Sequence, residues 1–348
     1  MTKKTAPSTR NIDFQQAKQA KKDEFYTSLS DIESELEHYV NHFAGKVVYC
    51  NCDDPRASNF FHYFSANFER LGLKKLITTC YRSQDSELFG KRDSGKAIYL
   101  EYTGNKSGDS IPNIETLGIK QLSGDGDFRS AESVALLKQA DIVVTNPPFS
   151  LFNEYISQLI EYKKKFVVIG NMNAVTYTNI FPLIQSNQIW YGPSIRSGDR
   201  EFRVPEDYPI TAVGSRVDEY GNKYVRVKGV RWFTNLDYPS RHVDLVLQST
   251  YSPSAYPKYA NFDAIEVGKS KDIPLDYDGP MGVPITFLDK FNPDQFEILG
   301  SSKTLSRPMS QIAKKGSYQP GGPRFYLPNG DGTYRRMYER IVIRKKLK

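Results

Sequence analysis

Residues 141–152 read DIVVTNPPFSLF, an apolar run that leads into an asparagine and two prolines. Residues 142–144 are all β-branched with no polar residue among them, which is typical of a strand covered on both faces. Pro147 and Pro148 then fix the backbone and remove two amide donors, so the strand cannot continue past them. The stretch therefore predicts a central strand of a buried sheet, followed by a rigid loop.

Strand and helix signals alternate on both sides of that stretch. The alternation predicts an α/β fold with a doubly wound, mostly parallel sheet. Ligands of such folds bind beyond the carboxyl ends of the strands, so we expect the chemistry in residues 51–55, 146–149 and 171–173. Residues 83–109 are polar, and no element is predicted there. The predicted strands are 47–50, 75–80, 141–145 and 166–170, and the predicted helices are 30–43, 58–71, 133–139 and 152–162.

From about Trp190 the composition changes to arginine, glycine, tyrosine and proline, with short alternating stretches. These features indicate a β-rich or irregular insertion. Residues 281–288 then predict a returning strand, and residues 292–299 a short helix that restores the first domain. The predicted division is a flexible basic arm at 1–22, a core at 23–190, the insertion at 191–260, and a return to the core with a basic C-terminal segment at 261–348.

The chain has 348 residues and a formal net charge of +7, and positive charge is concentrated at both ends. Residues 1–22 carry six lysines and arginines against one acidic residue, and residues 314–348 carry ten against two. Basic residues that neutralise phosphates release condensed counterions, which favours a nucleic-acid partner. A run of charge is also typical of a solvated tail, so charge alone leaves the partner open.

The three cysteines, Cys50, Cys52 and Cys80, form no CxxC pair and have no nearby histidine cluster. This pattern predicts buried, reduced thiols and no metal site. No stretch approaches the roughly 20 apolar residues of a membrane span, and charged residues stand where a signal peptide needs an apolar segment. We therefore expect a soluble, cytoplasmic protein.

The loop after the 141–145 strand has the groups needed to activate an exocyclic amine. Such an amine is a poor nucleophile because its lone pair is delocalised into the ring. The Asn146 side-chain oxygen and the Pro147 carbonyl can hold its two hydrogens, while Phe149 stacks on the base. A base in a duplex has to be flipped out to reach such a pocket. The alternative interpretation is a turn that merely ends a strand.

A second candidate loop, GDGDF at residues 124–128, lies about one helix upstream. The Asp127 carboxylate can accept hydrogen bonds from an adenine amine or a ribose, and Phe128 can pack on the ring. By itself this is an ordinary Asp-Gly turn. Taken with the later loop, its order and spacing indicate two ligand loops on adjacent strands, one for a cofactor and one for a substrate.

Longer runs are more specific than either loop: DEFYT at 23–27, VVYCNCDDPRASNFF at 47–61, GDGDFRS at 124–130, DIVVTNPPFSLF at 141–152 and KDIPLDYDGPMGVPITFL at 271–288. Through these runs the chain resembles the S-adenosylmethionine-dependent amino-methyltransferases, in particular the EcoRI-type adenine-specific DNA modification methyltransferases. The resemblance implies a Rossmann-like methyltransferase fold with the insertion as its target-recognition part. It also implies methyl transfer to N6 of an adenine flipped out of double-stranded DNA, by a monomer without a metal ion, in a restriction-modification system or as a solitary methylase.

The resemblance also assigns roles to single residues. Residues 25–27 correspond to the segment that closes over the methionine part of the cofactor, and residues 51–55 to the first cofactor loop. The implied cofactor residues are Phe25, Tyr26, Thr27, Asn51, Asp53, Asp54, Pro55, Asp127 and Phe128, and the implied catalytic residues are Asn146, Pro147, Pro148 and Phe149.

The first cofactor loop departs from the family pattern. Most methyltransferases have a glycine-rich turn there, whereas this chain has residues 52–55, which contain no glycine. The second strand also lacks the usual acidic residue at its end, since residues 80–82 read CYR. We expect Asp53 or Asp54 to hold the ribose instead.

Sequence-specific binding requires groups that reach base edges, and the insertion offers arginines interleaved with asparagine and tyrosine. The sequence does not separate base contacts from phosphate contacts. The arginines predicted to contact DNA are Arg196, Arg200, Arg203 and Arg231.

Two other functions remain open at this point. A loop of this type serves any planar amine or amide, so the chain could methylate adenine in RNA or a protein glutamine. It could also be a non-catalytic nucleic-acid binder that keeps the fold as a scaffold. The basic ends and the insertion favour nucleic acid over a glutamine.

Overall fold

The structure is a computed structural model, and it describes residues 26–52, 54–56, 58–80, 97–104, 114, 117–196, 198–204 and 214–346. Phe25, Asp53 and the predicted basic arm, residues 1–22, lie outside the described residues. The chain divides into two compact units. The first is Met1–Ala174 with Gly192–Leu236, and the second is Val175–Tyr191 with Asp237–Lys348.

The elements follow in chain order. The helices are α1 (Leu29–Leu36), α2 (Asn59–Ala66), α3 (Ala131–Gln139), α4 (Phe152–Glu161), α5 (Phe181–Gln185) and α6 (Ser302–Leu305). The strands are β1 (Val47–Asn51), β2 (Lys75–Thr79), β3 (Ile98–Tyr102), β4 (Lys120–Gln121), β5 (Ile142–Thr145), β6 (Lys165–Asn171), β7 (Trp190–Tyr191), β8 (Asp199–Val204), β9 (Ser215–Val217), β10 (Lys223–Lys228), β11 (Val230–Thr234), β12 (Ile265–Glu266), β13 (Met281–Pro284), β14 (Phe296–Ser301), β15 (Tyr326–Pro328), β16 (Tyr334–Arg336) and β17 (Arg340–Lys345).

The sheet of the first unit is parallel at its centre. β2, β1, β5 and β6 lie side by side in that order, and each neighbouring pair is parallel. Antiparallel strands extend it on both sides, with β3 and β4 beyond β2 and β11 beyond β6. The prediction of a mixed α/β fold around a large, mostly parallel sheet is confirmed.

Local sequence explains these elements. All residues of β1 and β5 are buried, as their continuous apolar runs predict. Ser28, Ser58 and Ser130 precede α1, α2 and α3, and each side chain accepts a backbone N–H of the first turn at 3.1 to 3.2 Å. Such caps satisfy donors that have no partner within the helix. The predicted strands and helices of residues 30–170 are present, with two differences. α1 ends at Leu36, where a 3₁₀ helix, Glu37–His42, follows it, and α2 ends at Ala66 rather than at residue 71.

The polar stretch at residues 83–109 contains a strand that the sequence did not predict. β3 lies there and pairs antiparallel with β2. Its side chains alternate between buried and half-buried along IYLEY, with Ile98, Leu100 and Tyr102 buried. This is the period-two pattern of a strand, but it extends over five residues and is bordered by polar sequence.

The helix predicted at residues 292–299 is wrong. β14 begins at Phe296 and pairs antiparallel with β17. Phe296 and Ile298 are buried while the residues that follow each of them are half-buried, so the apolar spacing is that of a strand. The strand predicted at residues 281–288 ends earlier, at Pro284, because a 3₁₀ helix, Ile285–Lys290, follows it.

Within residues 191–260, β8, β10 and β9 form a separate antiparallel sheet in that order. β11 falls in the same interval, but it lies in the central sheet beside β6. The assignment of this interval to target recognition stays a prediction.

The second unit has a sheet of its own with strand order β12-β13-β17-β14. A buried ion pair joins two of its strands. Arg340 of β17 donates to both carboxylate oxygens of Glu266 of β12 at 2.7 to 3.1 Å. Tyr259 also donates to Glu266, and its ring stacks on Phe325 at 4.4 Å in the apolar cluster of this unit. A hairpin of β15 and β16 completes the unit.

None of the described helices is both long and apolar enough to cross a membrane.

Candidate active site

The loops predicted to bind ligands begin at the same edge of the first unit's sheet. β1 pairs in parallel with β2 and with β5, so their carboxyl ends are neighbours. Asn51 ends β1 and Thr145 ends β5, and the Thr145 hydroxyl donates to the Asn51 carbonyl. The loop after Asn51 and the loop that starts at Asn146 therefore leave the sheet side by side.

Asn146 is the first residue after β5 and is 5% exposed. Its side-chain Nδ2 donates to the Thr27 hydroxyl at 3.2 Å, and Thr27 is itself buried. Because the carboxamide is planar, this contact turns the Oδ1 oxygen away from Thr27. The predicted catalytic asparagine and one predicted cofactor residue are thus in direct contact.

The rest of the NPPF loop packs closely. Pro147 is buried and Pro148 is half-buried. The Pro148 carbonyl accepts the Leu151 N–H at 3.0 Å, which starts the turn that leads into α4. The Phe149 ring meets Phe202 of β8 edge to face at 6.5 Å. An edge contact of this kind fixes the plane of the Phe149 ring.

Asn51 is held from within the unit. The hydroxyl of Tyr155, a fully buried residue of α4, donates to the Asn51 side-chain oxygen. The Tyr155 ring also meets the Phe128 ring edge to face at 5.0 Å. Tyr155 therefore links the end of β1 to the second predicted cofactor loop.

Asp54 and Asp127, one in each predicted cofactor loop, make the same local contact with an arginine two residues later. Arg56 donates its backbone N–H, Nε and a terminal nitrogen to Asp54 at 2.7 to 3.2 Å. Arg129 makes the corresponding three bonds to Asp127 at 2.7 to 2.9 Å. Two-point contacts of this type fix the plane of each carboxylate. Arg129 also lies 5.2 Å over the Phe128 ring.

Backbone conformation brings both loops to the sheet edge. Gly126 has φ +76°, and an added Cβ would lie 2.3 Å from the carbonyl oxygen of Cys80, the residue that follows β2. The loop of Asp127 thus rests on the end of β2, and only glycine fits there. In the first loop Cys52 has φ +79°, so a non-glycine residue adopts a backbone conformation that glycine favours. Pro55, three residues further on, is buried.

The predicted DNA-contacting arginines differ in exposure. Arg196 and Arg203 are exposed, and the Arg203 carbonyl accepts the Tyr26 N–H at 3.0 Å. Arg200 is half-buried and pairs with Asp31 at 3.1 Å. Arg231 is 3% exposed and donates to the carbonyls of Val230 and Arg196 at 2.8 Å. In this structure the Arg231 guanidinium is buried and binds backbone carbonyls within the protein.

Another side chain that sequence reasoning missed is Glu35 of α1, which is fully buried. It accepts the Ser194 N–H at 2.9 Å and the Tyr39 hydroxyl at 2.8 Å. Burial raises the pKa of this carboxyl to about 7, although these hydrogen bonds act in the opposite direction. Glu35 thereby ties α1 to the segment that leads into β8.

Sequence signals for the missed residues are uneven. The repeated Asp-x-Arg spacing of Asp54 with Arg56 and Asp127 with Arg129 is visible in the sequence. Tyr155 lies in the buried stripe of α4 and reads as an ordinary core residue. Among the described residues there is no group of three or more histidine, cysteine, aspartate or glutamate side chains that could hold a metal ion.

Comparison with known proteins identifies the family. The model of the family described as "Adenine-specific methyltransferase EcoRI" matches residues 13–346. The Type II methyltransferase M.EcoRI of Escherichia coli is 53% identical over 286 residues, which is 81% of this chain and 87% of that protein. The Type II methyltransferase M.MpnI of Mycoplasma pneumoniae is 42% identical over 290 residues, 82% of this chain and 84% of that protein.

A third relative, the Type II methyltransferase M.MgeORF184P of Mycoplasma genitalium, is 39% identical over 290 residues, 82% of this chain and 85% of that protein. No solved structure matches the chain. The match of the family model over nearly the whole chain and the three relatives agree, and the chain belongs to the EcoRI family of adenine-specific methyltransferases.

Proposed function

We propose that this protein is a site-specific DNA methyltransferase that modifies N6 of an adenine flipped out of double-stranded DNA, with S-adenosylmethionine as the methyl donor. Family membership supports the reaction. The observation that carries the assignment of the site is Asn146, a buried amide at the end of a central parallel strand whose nitrogen is turned toward Thr27. A restriction-modification system or a solitary methylase is the expected setting.

The NPPF loop activates the amine of the target base. Asn146 Oδ1 and the Pro147 carbonyl accept the two N6 hydrogens, which favours a tetrahedral nitrogen whose lone pair is available for attack. Pro148 keeps the loop rigid, and Phe149 stacks on the base. S-adenosylmethionine supplies the methyl group from a sulfonium, an electrophile that needs no metal ion. The surplus proton on N6 passes to water, so catalysis rests mainly on positioning.

The cofactor residues offer suitable chemistry for a nucleoside with a hydroxyl-rich ribose. The Asp54 and Asp127 carboxylates are hydrogen-bond acceptors held in fixed planes by Arg56 and Arg129. Phe128 provides an aromatic surface beside Asp127. Further contacts that we propose come from the segment Phe25, Tyr26 and Thr27 and from Asp53 and Pro55. Asn51 contributes by bracing the first loop through Tyr155.

DNA contacts are proposed for β8 and the segment before it. β8 carries Arg200 and the exposed Arg203, and its Phe202 packs against Phe149 of the catalytic loop. Arg196 is exposed just before β8. We leave Arg231 out because its guanidinium is buried on backbone carbonyls. Residues 191–260 remain the proposed recognition part of the chain, which we expect to act as a monomer.

The test is methyl transfer with a labelled donor. The protein is incubated with methyl-labelled S-adenosylmethionine and duplex DNA, the DNA is digested, and N6-methyladenine is expected. The Asn146→Ala variant should lose at least about a hundredfold in kcat with a circular-dichroism spectrum like that of the wild type. Asn179→Ala, at an exposed position, is the matched control and should stay active.

Sequencing of modified bases in DNA from cells that express the chain would then give the methylated base and its recognition site together. Absence of transfer to any duplex would overturn the proposal. Transfer to RNA or to a protein glutamine in its place would support one of the alternative substrates.

A further inference from the structure

Thr27 lies where three elements of the first unit meet. The residue before it pairs with β8, through the Tyr26 N–H to the Arg203 carbonyl at 3.0 Å. Its own carbonyl accepts Nδ2 of Asn59, the first residue of α2, at 2.7 Å. Its hydroxyl accepts Asn146 Nδ2 at 3.2 Å, and both side chains of that bond are about 5% exposed or less. The backbone of residues 26 and 27 is therefore held on both sides, by β8 and by Asn59, which fixes the position of the Thr27 side chain.

The orientation of the Asn146 amide matters for the proposed chemistry. The oxygen and nitrogen ends of a carboxamide have nearly the same shape, and rotation by 180° exchanges an acceptor for a donor. With the amide reversed, the Asn146 NH₂ would face the amine of the base, donor against donor. In the observed orientation Nδ2 binds Thr27, and Oδ1 points away from Thr27. The Thr27 hydroxyl can donate as well as accept, so bound adenine selects the productive orientation and the bond to Thr27 holds the amide in it.

We propose that Thr27 is a positioning residue that holds the catalytic Asn146 amide in the orientation whose oxygen faces the target amine. This role rests on the proposed function, since it has meaning only if Asn146 binds the target amine. It is additional to the proposed contact between Thr27 and the cofactor, which a valine of the same shape can still make. A contact with the cofactor would act on cofactor affinity, whereas an orienting contact acts on the rate of transfer from the complete complex.

A double-mutant cycle separates these two roles. Thr27→Val keeps the shape and removes the hydroxyl, and Thr27→Ser keeps the hydroxyl. Asn146→Asp replaces the amide by a carboxylate, whose two oxygens are both acceptors, so its orientation no longer matters. We expect Thr27→Val to lower kcat about tenfold in the wild-type background, with KM for S-adenosylmethionine within about twofold. Thr27→Ser should restore most of the rate.

In the Asn146→Asp background, Thr27→Val should change the remaining rate by at most about twofold, because coupled residues are not additive. An equal tenfold loss in both backgrounds would overturn the inference, as would a loss that appears only in KM for the cofactor. Activity of Thr27→Val equal to the wild type would overturn it too, while the proposed function would stand. A wild-type protein that methylates nothing would instead overturn the proposed function.

A binding measurement covers the case in which Asn146→Asp is too slow to assay. Duplexes carry either adenine or purine, which lacks the amine, at the methylated position found by sequencing. The wild-type protein should bind the adenine duplex more tightly than the purine duplex. Thr27→Val should reduce that preference, and Thr27→Ser should restore it. A preference unchanged in Thr27→Val would contradict the orienting role.

Discussion

Asn51 and Asn146 follow the same pattern in the chain, but their amides have different partners. Each lies at the carboxyl end of a central parallel strand, and each is almost fully buried, at 2% and 5% exposure. The Asn51 oxygen is held by Tyr155 from α4, so this amide braces the strand end. The Asn146 nitrogen is held by Thr27 instead, and we propose that its oxygen accepts from the substrate. We therefore propose that the partner of each amide, rather than its position, separates the supporting role of Asn51 from the catalytic role of Asn146.

The variant with the largest expected effect removes the hydrogen bond from Tyr155 to Asn51. Tyr155→Phe deletes the hydroxyl that donates to Asn51 and leaves a buried carbonyl oxygen without that donor. We expect the free energy of unfolding to fall by about 1 to 3 kcal/mol, measured by urea denaturation. Tyr220→Phe, at an exposed position, is the matched control and should stay within about 0.5 kcal/mol of the wild type.

Activity provides the second readout of the same variant. At a temperature where Tyr155→Phe is fully folded, kcat should stay within about threefold of the wild type, because Asn51 does not touch the reacting atoms in this assignment. A loss of more than about tenfold in kcat with unchanged stability would show that Asn51 acts in the site, and the contrast with Asn146 would fail.

The sequence predicted the elements that place both asparagines, for a physical reason. β1 and β5 are short runs of apolar residues, and serines in cap positions begin α1, α2 and α3. Both signals are local. β3 was missed because its alternation covers five residues inside polar sequence. The residues predicted as a short helix at 292–299 include the start of β14, because Phe296 and Ile298 alternate with half-buried residues at the spacing of a strand.

The sequence likewise predicts some features of the candidate site and not others. The NPPF loop and the Asp127 loop are contiguous in sequence, so their residue types alone suggest their chemistry. The bond between Tyr155 and Asn51 joins residues 104 positions apart, and that between Asn146 and Thr27 joins residues 119 positions apart. The sequence separation predicts neither contact, because both depend on how helices and the N-terminal segment pack on the sheet.

A smaller effect on stability is expected from Glu35 of α1, the helix that begins at Leu29, two residues after Thr27. The Glu35 carboxyl has a folded-state pKa of about 7, raised by burial. A carboxyl whose pKa is higher in the folded state contributes stability below its ordinary pKa and loses it as the pH rises through about 7. The unfolding free energy of the wild type, relative to Glu35→Gln, should therefore fall by about 1 kcal/mol between pH 6 and pH 8.

Chemical denaturation at several pH values measures this difference. Glu33→Gln, an exposed position on the same helix, serves as the control and should follow the wild type at every pH. If the wild type and Glu35→Gln show parallel curves, then Glu35 does not titrate in this window. In that case the contact between Glu35 and Ser194, before β8, is equally stable below and above pH 7.

The smallest expected effect concerns Asn146, whose side chain is bound to Thr27 near the N-terminus. Asn59→Ala removes the bond from Nδ2 to the Thr27 carbonyl, so the hydroxyl that orients Asn146 is held less firmly. We expect kcat to fall about threefold, roughly 0.6 kcal/mol. The melting temperature should change little, since the Ser58 cap that begins α2 is intact.

Asn67→Ala is a close control, because Asn67 makes the same kind of bond, from Nδ2 to the Tyr63 carbonyl at 2.8 Å, at the other end of α2. It removes this hydrogen bond and one that Asn67 accepts from Arg70, without touching Thr27. Its kcat, measured by steady-state kinetics, should be unchanged. Equal losses in both variants would mean that α2 acts through its general stability. A loss confined to Asn59→Ala would locate the effect in the segment that holds the Asn146 amide, which is the feature that separates it from Asn51.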